Sequence, residues 1–461
     1  MDIRDRMKGI RGGAATGLIS VLAWHLLGVS PNLTAQEAPG WTPTLVEISS
    51  PATSNAGEPQ VTVSSRGVLL SWIEHSGPTT TLRFAERTPT GWTQPRTVAS
   101  GNDWTVNGVD VPSVIRLADG RLTATWLRRS GSGMHANDVR LSYSRDDGKT
   151  WAASFAPYRE GSQSERLFVS QFEAPAGGLG LIWLDGGAMR RETSNVERSV
   201  PNHSRGAEHT EHKHQQGAGH QGHDAHGGRG AMGSMGDMSL RFATFDSAWK
   251  QTAEMPIDLR VCECCSTAAV VTPEGVLAAY RNRSEEEIRD IYVSRLEQGR
   301  WTEPAPVHAD NWQIHACPIN GPALSTRDRD VAIVWYTVKQ DQGRAYAAFS
   351  RDAGRTFGTP IRLDDGGSLG RVDVEMLPDG SAVATWVEVG DGRAQLRARR
   401  VTIEGTRSAA ITVTRLATGR ASGYPRVARH GNELVFAWTE TSSGTPQVRT
   451  AVARIPGSVT R

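Results

Sequence analysis

Net charge is almost absent from this chain of 461 residues, and its absence excludes a class of partner. The sequence has 51 Lys and Arg against 49 Asp and Glu, a balance of +2. The first 35 residues hold four of the basic and two of the acidic side chains, so the remainder has 47 of each sign. A neutral body excludes capture of nucleic acid or of an anionic membrane surface by bulk charge.

Long apolar runs are also absent, with one exception near the N-terminus. A basic stretch at residues 4–11 precedes an apolar stretch at 14–29 and the small-residue sequence at 33–35. This order is typical of a secretory signal, so we predict a signal peptide over 1–35 that is cut after Ala35. The alternative is an uncleaved anchor. We therefore expect a periplasmic or secreted protein without a membrane span after cleavage, in a compartment where disulfides can form.

Helical periodicity is lacking throughout, whereas 49 Gly and 14 Trp favour short strands and tight turns. One unit recurs, an apolar strand that ends in an aromatic residue, and its spacing stays near 50 apart from one interval of 97. Such a period predicts an all-β, seven-bladed β-propeller of four-stranded blades over residues 41–457, with a six-bladed ring as the alternative. The repeated aromatic residues are Trp72, Trp126, Trp183, Tyr280, Trp335, Trp386 and Trp438.

The last repeat, residues 422–455, lacks a fourth strand of its own. The segment Trp41–Ile48 matches the fourth strands that begin at Trp92 and Trp301. Because an open ring would leave unpaired strand edges, we predict that the N-terminal segment closes the ring by joining the last blade.

Two turns between third and fourth strands share the pattern Ser-x-Asp-x-Gly-x-Thr-aromatic. The pattern resembles the Asp-box of BNR-repeat propellers, a superfamily that includes the bacterial sialidases. In such turns we expect the polar side chains to bond the hairpin backbone, glycine to take a positive φ and the aromatic ring to pack between blades. The residues are Ser144, Asp146, Gly148, Thr150 and Trp151 in the first turn, and Ser350, Asp352, Gly354, Thr356 and Phe357 in the second.

The resemblance implies an exo-glycosidase of sialidase type, with arginines for the substrate carboxylate, a tyrosine nucleophile and acidic partners. The chain departs from that family, since it lacks the aromatic-Arg-Ile-Pro motif and has seven repeats instead of six. Residues at second-strand ends could still take these roles, and the weak catalytic candidates are Arg128, Arg281, Tyr336 and Glu388. The alternative is that they are solvated rim residues.

Cysteine is scarce, and all four residues fall in two short strings that lead into the inner strands of consecutive blades. Cys262, Cys264 and Cys265 form the first string, whereas Cys317 follows His315 in the second. Alignment on the following turns places Cys262 opposite Cys317, and an extended strand would point Cys265 away from the other two. One interpretation is a pair of disulfides that join the two blades, such as Cys262 or Cys265 to Cys317. Another is a thiolate site for copper or zinc, with His315 as an additional ligand, and a third is one disulfide beside two free thiols.

Large apolar residues are missing from 201–231, which lies within the long interval between repeats. We predict a disordered insertion over 195–238, between the second and third strands of the third blade. Imidazoles accept Cu(II) and Zn(II), and thioethers favour Cu(I). The candidate ligands of this arm are His209, His212, His214, His220, His223, His226, Met232, Met235 and Met238.

The arm and the cysteine strings should share one face of the propeller, on adjacent blades. We therefore expect a metal-handling protein in which the arm captures copper or zinc for the cysteine centre. One alternative is a sialidase-like hydrolase or glycan-binding propeller with structural disulfides. The other is a scaffold that binds another periplasmic protein.

Overall fold

The computed structural model describes residues 41–131, 136–159, 164–175, 177–187, 237–417, 419 and 422–455. Within these ranges, no helix is long and apolar enough to cross a bilayer. The described secondary structure consists of strands: β1 (Leu45–Ile48), β2 (Ala56–Ser64), β3 (Gly67–Ser76), β4 (Thr79–Thr88), β5 (Gly91–Trp92), β6 (Arg96–Gly101), β7 (Ser113–Arg116), β8 (Leu122–Arg129), β9 (Asn137–Ser144), β10 (Arg166–Glu173), β11 (Leu179–Asp185), β12 (Met238–Phe245), β13 (Gln251–Val261), β14 (Ala268–Thr272), β15 (Gly275–Arg281), β16 (Ile291–Glu297), β17 (Arg300–Trp301), β18 (Ala305–Pro306), β19 (Ala323–Arg327), β20 (Asp330–Lys339), β21 (Gln342–Ser350), β22 (Ile361–Arg362), β23 (Ser368–Met376), β24 (Ala382–Gly390), β25 (Arg393–Val401), β26 (Ile411–Leu416), β27 (Arg426–His430), β28 (Glu433–Glu440) and β29 (Gln447–Arg454).

These strands form seven antiparallel sheets, which are the blades of a β-propeller. Blades 1 to 6 begin in turn with β2, β7, β10, β14, β19 and β23, and blade 7 contains β27, β28 and β29. The fourth strand is split into β5 and β6 in blade 1 and into β17 and β18 in blade 4. In blade 2 it is reduced to a bridge between Leu141 and Phe155. The prediction of seven blades is confirmed, and the six-bladed alternative is wrong.

The two ends of the propeller chain meet in blade 7. Strand β1 pairs antiparallel with β29, with Leu45 opposite Ala453 and Ile48 opposite Thr450. The sheet order β1-β29-β28-β27 therefore gives this blade its four strands.

The second strand of each blade carries the apolar core because both of its faces are covered by neighbouring blades. All seven residues of β11 are buried, as are the first seven residues of β24. The blades pack face to face around a central axis, so each covers apolar side chains that a single sheet would leave exposed to solvent.

Each repeated aromatic residue lies in the second strand of its blade, as the spacing predicted. In five blades its polar atom donates a hydrogen bond to a carboxylate, which satisfies a group that burial would otherwise leave unpaired. The bonds join Trp72 to Glu74 (2.8 Å), Trp183 to Asp185 (3.2 Å), Tyr280 to Asp258 (2.8 Å), Trp335 to Asp310 (2.7 Å) and Trp386 to Glu388 (2.7 Å).

The first strands of all seven blades surround a central cavity of about 230 Å³. Its wall is polar and contains Asp110, Asp373, Glu375 and Arg426. Because Asp110 is buried, its pKa is raised to about 7, although one carboxylate oxygen accepts the amide N–H of Phe168. Burial likewise raises the pKa of Glu375 to about 8.

The two turns that share the Ser-x-Asp-x-Gly-x-Thr pattern have the same hydrogen bonds. The Ser144 hydroxyl accepts the N–H of Gly148 at 2.8 Å, and Asp146 accepts the hydroxyl of Thr150 at 2.6 Å. Ser350 and Asp352 make the matching bonds in the second turn, at 2.9 and 2.6 Å.

The glycines of both turns have positive φ, 79° at Gly148 and 82° at Gly354. The aromatic ring of the first turn, Trp151, packs edge-on against Phe84 of blade 1. Both turns end third strands, so they lie on the face opposite the loops that lead into the first strands.

Candidate thiol centre at the mouth of the channel

The cysteine strings lie where blades 4 and 5 meet at the mouth of the central cavity. Residues 262–265 form a tight turn between β13 and β14, and 315–322 lead into β19. Ser266 and Thr267, which follow the first string directly, line the cavity. The expectation that an extended strand would point Cys265 away is wrong, because the turn folds its side chain back.

Three sulfur atoms converge as a result of this turn. The Sγ of Cys262 lies 3.3 Å from that of Cys265 and 3.8 Å from that of Cys264. All three ligand atoms lie within 4.8 Å of one another, which is a spacing suited to a shared metal ion. All four cysteines are free thiols, so the structure has no disulfide between blades 4 and 5.

A guanidinium approaches this cluster from the loop between β15 and β16. Arg289 is buried and donates a hydrogen bond to the sulfur of Cys262 at 3.3 Å. It also donates to Glu263 (3.1 Å) and Glu287 (2.8 Å). Burial alone would raise the pKa of Cys262, but its hydrogen bonds with Cys264 and Cys265 and the charge of Arg289 hold it well below its usual range. These contacts favour the thiolate form at Cys262 over the other two thiols of the turn.

The other two thiols of the turn are hydrogen-bonded to this sulfur. The hydrogen bond to Cys262 raises the pKa of Cys264, and burial raises the pKa of Cys265. Cys317 is exposed, and a hydrogen bond from Cys264 lowers its pKa. His315 is exposed as well and is not a member of the three-cysteine cluster.

Close packing fixes the two cysteine strings against each other. A Cβ on Gly321 would lie 1.9 Å from the carbonyl oxygen of Ser266, so the two loops approach as closely as glycine permits. The amide N–H of Asn320 donates to the sulfur of Cys265 at 3.4 Å. Across the mouth, the buried Tyr424 donates its hydroxyl to the carbonyl of Ile319.

The chain returns from the histidine- and methionine-rich insertion directly beside this centre. Met238, which we assigned to the arm, is instead the first residue of β12 and is buried in the apolar core. It pairs with Val261, the residue before Cys262, and Asp237 lies 3.4 Å from Arg260. The insertion thus ends before Met238. The remaining candidates of the arm, the six histidines with Met232 and Met235, lie outside the described residues.

The four weak catalytic candidates are all engaged in contacts within or between blades. Arg281 is 1% exposed and donates to backbone carbonyls of Asn320 (2.9 Å) and Tyr336 (2.6 Å). Tyr336 is half-buried, and its ring packs edge-on against Trp312. Arg281 therefore joins blades 4 and 5 through the backbone.

The other two candidates are engaged within their own blades. Glu388 is buried between the indole N–H of Trp386 (2.7 Å) and Arg397 (3.0 Å). Arg128 lies 3.7 Å from Asp103. Both contacts are local to blades 6 and 2.

Arg289, Glu263 and Tyr424 are the residues at the centre that sequence patterns did not reveal. Arg289 lies in a loop between second and third strands, and these loops share a face with the cysteine strings. That topological rule could have placed its loop at the mouth, but only the fold shows that its side chain turns inward.

No protein-family model matches this chain, and no curated protein does. Among solved structures, it is similar to a protein of unknown function from Dyadobacter fermentans DSM 18053, at 14% identity and a TM-score of 0.47, over 89% of this chain and 98% of that one. It is similar to the polysaccharide lyase Uly1 at 10% identity and a TM-score of 0.49, over 93% and 94% of the two chains. It is also similar to an endo-arabinase from Bacteroides thetaiotaomicron VPI-5482 at 9% identity and a TM-score of 0.34, over 90% and 98%. These similarities concern the propeller fold alone.

Proposed function

We propose that this propeller binds a soft metal ion, copper or zinc, through the thiolates of Cys262, Cys264 and Cys265. The observation that carries the proposal is the convergence of these three sulfur atoms within 4.8 Å. Soft thiolate ligands select Cu(I) and Zn(II) over harder cations. Cys317 is hydrogen-bonded to Cys264 but lies outside the three-sulfur group, so it would become the fourth ligand of a tetrahedral site only after its loop moves toward the group.

The observed spacing fits the bond lengths of such an ion. A Zn–S bond of about 2.3 Å in a tetrahedral site separates its sulfur atoms by about 3.8 Å. The distances of 3.3 and 3.8 Å from Cys262 need only small side-chain rotations to reach this value. The charge of Arg289 offsets part of the negative charge that several thiolates would bring together.

The histidine- and methionine-rich insertion is the proposed capture arm of the same function. Its histidines accept Cu(II) or Zn(II) at low specificity, and its thioethers favour Cu(I). The pairing of Met238 with Val261 supports a transfer to the cysteine turn, because the chain returns from the arm one residue away from Cys262 in register.

The test is a Cu(I) and Zn(II) titration of the untagged protein, reduced and stripped of metal, against competing chelators. We expect one tightly bound ion per chain, and Cys262→Ser should weaken its affinity at least 100-fold because a ligand is lost. Deletion of residues 203–235, which leaves β12 intact, should change that affinity less than about threefold and should remove only weak sites.

His430→Ala is the matched control, since this exposed histidine ends β27 on the face opposite the cysteine strings. Equal metal content in the wild type and in Cys262→Ser would overturn the proposal. Loss of all metal with the deletion would assign binding to the arm alone.

Glycan binding or hydrolysis in the central cavity is the second candidate function. The adjacent acids Asp373 and Glu375 favour it, because burial raises the pKa of Glu375 to about 8 and so supplies a protonated acid near a second carboxyl. Release of sugar from a glycan by the metal-free protein, and its loss in Glu375→Gln, would support this candidate.

A further inference from the structure

The four thiols of the centre fall into two pairs that differ in access to solvent. Cys262 and Cys265 are 1% and 2% exposed, and their sulfur atoms are 3.3 Å apart. Cys264 is partly exposed, and its neighbour Cys317 in the next loop is exposed. An inner pair and an outer pair thus lie side by side, with the Cys264 sulfur 3.8 Å from that of Cys262.

We infer that these four cysteines also form a dithiol–disulfide couple, in which the outer pair receives oxidising equivalents and the inner pair stores them as a Cys262–Cys265 bond. The substrate class is a disulfide, either a small molecule or one borne by another protein. This activity goes beyond metal binding and does not depend on it.

The inner pair needs little movement to close. A disulfide has an S–S length of about 2.05 Å, so the two sulfur atoms must approach by about 1.3 Å. They belong to a turn with a Cys-x-x-Cys spacing, and rotation of the side chains can supply this change without separating the blades. The Asn320 amide and the Arg289 guanidinium already hold the two sulfur atoms in place, at 3.4 and 3.3 Å.

Burial requires that electrons leave the inner pair through the outer one. A partner disulfide cannot reach Cys262 or Cys265, whereas Cys317 is open to solvent. Thiol–disulfide exchange proceeds only where the attacking sulfur has access to its target. The adjacency of Cys317 to Cys264, and of Cys264 to Cys262, provides a continuous route of sulfur atoms.

The exchange balances in four steps. The Cys317 thiolate attacks the partner disulfide, forming a mixed disulfide and releasing one partner thiol. Cys264 attacks the Cys317 sulfur, which forms the Cys264–Cys317 bond and releases the second partner thiol. Cys262 then attacks Cys264 and frees Cys317, and Cys265 attacks Cys262 and frees Cys264. The inner dithiol loses two electrons and two protons, and the partner disulfide gains both.

Oxidation and metal binding would exclude each other, because a sulfur in the Cys262–Cys265 bond is no longer a thiolate ligand. This consequence, unlike the couple itself, rests on the proposed metal site. The predicted export would place the centre in a compartment that favours disulfides.

The test is oxidation of the reduced, metal-free protein by glutathione disulfide, with free thiols alkylated at intervals and mapped by mass spectrometry. Trypsin cleavage after Arg260 and Arg281 releases the inner pair and Cys264 in one peptide, and Cys317 falls in another. We expect the final product to carry the Cys262–Cys265 bond, with Cys264 and Cys317 alkylated.

Variants separate the route from the product. Cys317→Ser should slow formation of the inner bond at least tenfold without changing the final product, because the exposed nucleophile is lost. Cys265→Ser should stop the reaction at bonds that involve Cys264. His430→Ala, which changes an exposed histidine on the opposite face, should react at the wild-type rate.

Two results would overturn the inference. One is a final product that links Cys317 to any of the other three cysteines. The other is oxidation of Cys317→Ser as fast as the wild type. Neither result depends on metal affinity, so failure of the couple and failure of the metal site are distinguishable.

Discussion

The two faces of this propeller differ in whether their contacts recur from blade to blade. On the face of the Ser-x-Asp-x-Gly-x-Thr turns, Ser144 and Ser350 make the same bonds although 206 sequence positions separate them. At the opposite mouth, the contacts of Cys262 with Arg289 and of Asn320 with Cys265 occur once. A contact that recurs from blade to blade is explained by the stability that each blade requires. A contact that occurs once has no such explanation, so we look for function among the contacts of the cysteine turn.

The same comparison reassigns one candidate, Glu388, that sequence position alone placed near a catalytic site. Glu388 repeats the role of Glu74, since each accepts an indole N–H two residues earlier and pairs with an arginine of the third strand. The arginines, Arg83 and Arg397, lie directly opposite the tryptophans in register. Because blades 1 and 6 repeat these contacts, we assign Glu388 a structural role within its blade.

Arg281 offers the largest test of the comparison, because it lies at the mouth but holds two blades together. We expect Arg281→Met to lower the free energy of unfolding by about 3 kcal/mol, since several hydrogen bonds of a buried charge to carbonyls are lost. Urea denaturation of the full chain measures the change. Arg129→Met, a variant at an exposed second-strand end, is the control and should be neutral. If Arg281→Met unfolds at the wild-type urea concentration, Arg281 is not structural and a role at the mouth is open again.

The fold was predictable to a large extent because each blade repeats the same requirements. The spacing of aromatic residues from Trp72 to Trp438 indicated the number of blades, and an apolar strand before each of them indicated its second strand. Two glycines at positive φ, Gly148 and Gly354, were predictable from the turn pattern. What repeats in sequence can be interpreted without coordinates.

For the thiol centre, the sequence predicted which loops lie close together but not how their side chains are oriented. Alternation along a strand predicted that Cys265 would point away, but a turn at 262–265 overrides that period and folds the sulfur atoms together. Arg289 contacts Cys262 across 27 positions of sequence, and no local pattern encodes a contact of that range. Its loop spans residues 282–290, whereas the matching loops of blades 1, 5 and 6 have two residues each, so those repeats do not indicate its direction.

Asp110, in the wall of the central cavity, offers a test whose expected effect on stability is intermediate. Its folded-state pKa is raised to about 7 by burial, so the folded protein keeps a proton that the unfolded chain releases at about pH 4. This contribution to stability is fully present below about pH 4 and is lost as the pH rises through 7.

Asp110→Asn should remove this dependence while it keeps an acceptor for the Phe168 amide. Between pH 5 and pH 8 we expect the stability of the wild type to fall relative to the variant by on the order of 2 kcal/mol. Urea midpoints at the two pH values measure the difference, with the exposed Asp119→Asn as control. Parallel pH curves for wild type and Asp110→Asn would mean that Asp110 is already ionised in the fold.

The smallest expected effect concerns the repeated turns, and it tests whether repetition in sequence means equivalence in energy. Ser144→Ala and Ser350→Ala each remove a buried hydroxyl that accepts a glycine N–H, so each should cost about 1 kcal/mol. Ser294, at the matching position of blade 4, instead donates to the carbonyl of Thr302 at 2.7 Å. Thermal unfolding of the three alanine variants should therefore give two equal shifts, and a third that differs because the Ser294 hydroxyl donates to a carbonyl instead of accepting a glycine N–H. Unequal shifts for Ser144→Ala and Ser350→Ala would show that turns of the same sequence pattern contribute differently to the stability of the protein. In that case, the recurrence of a contact from blade to blade would no longer distinguish residues that hold the blades together from residues of the site at the mouth of the channel.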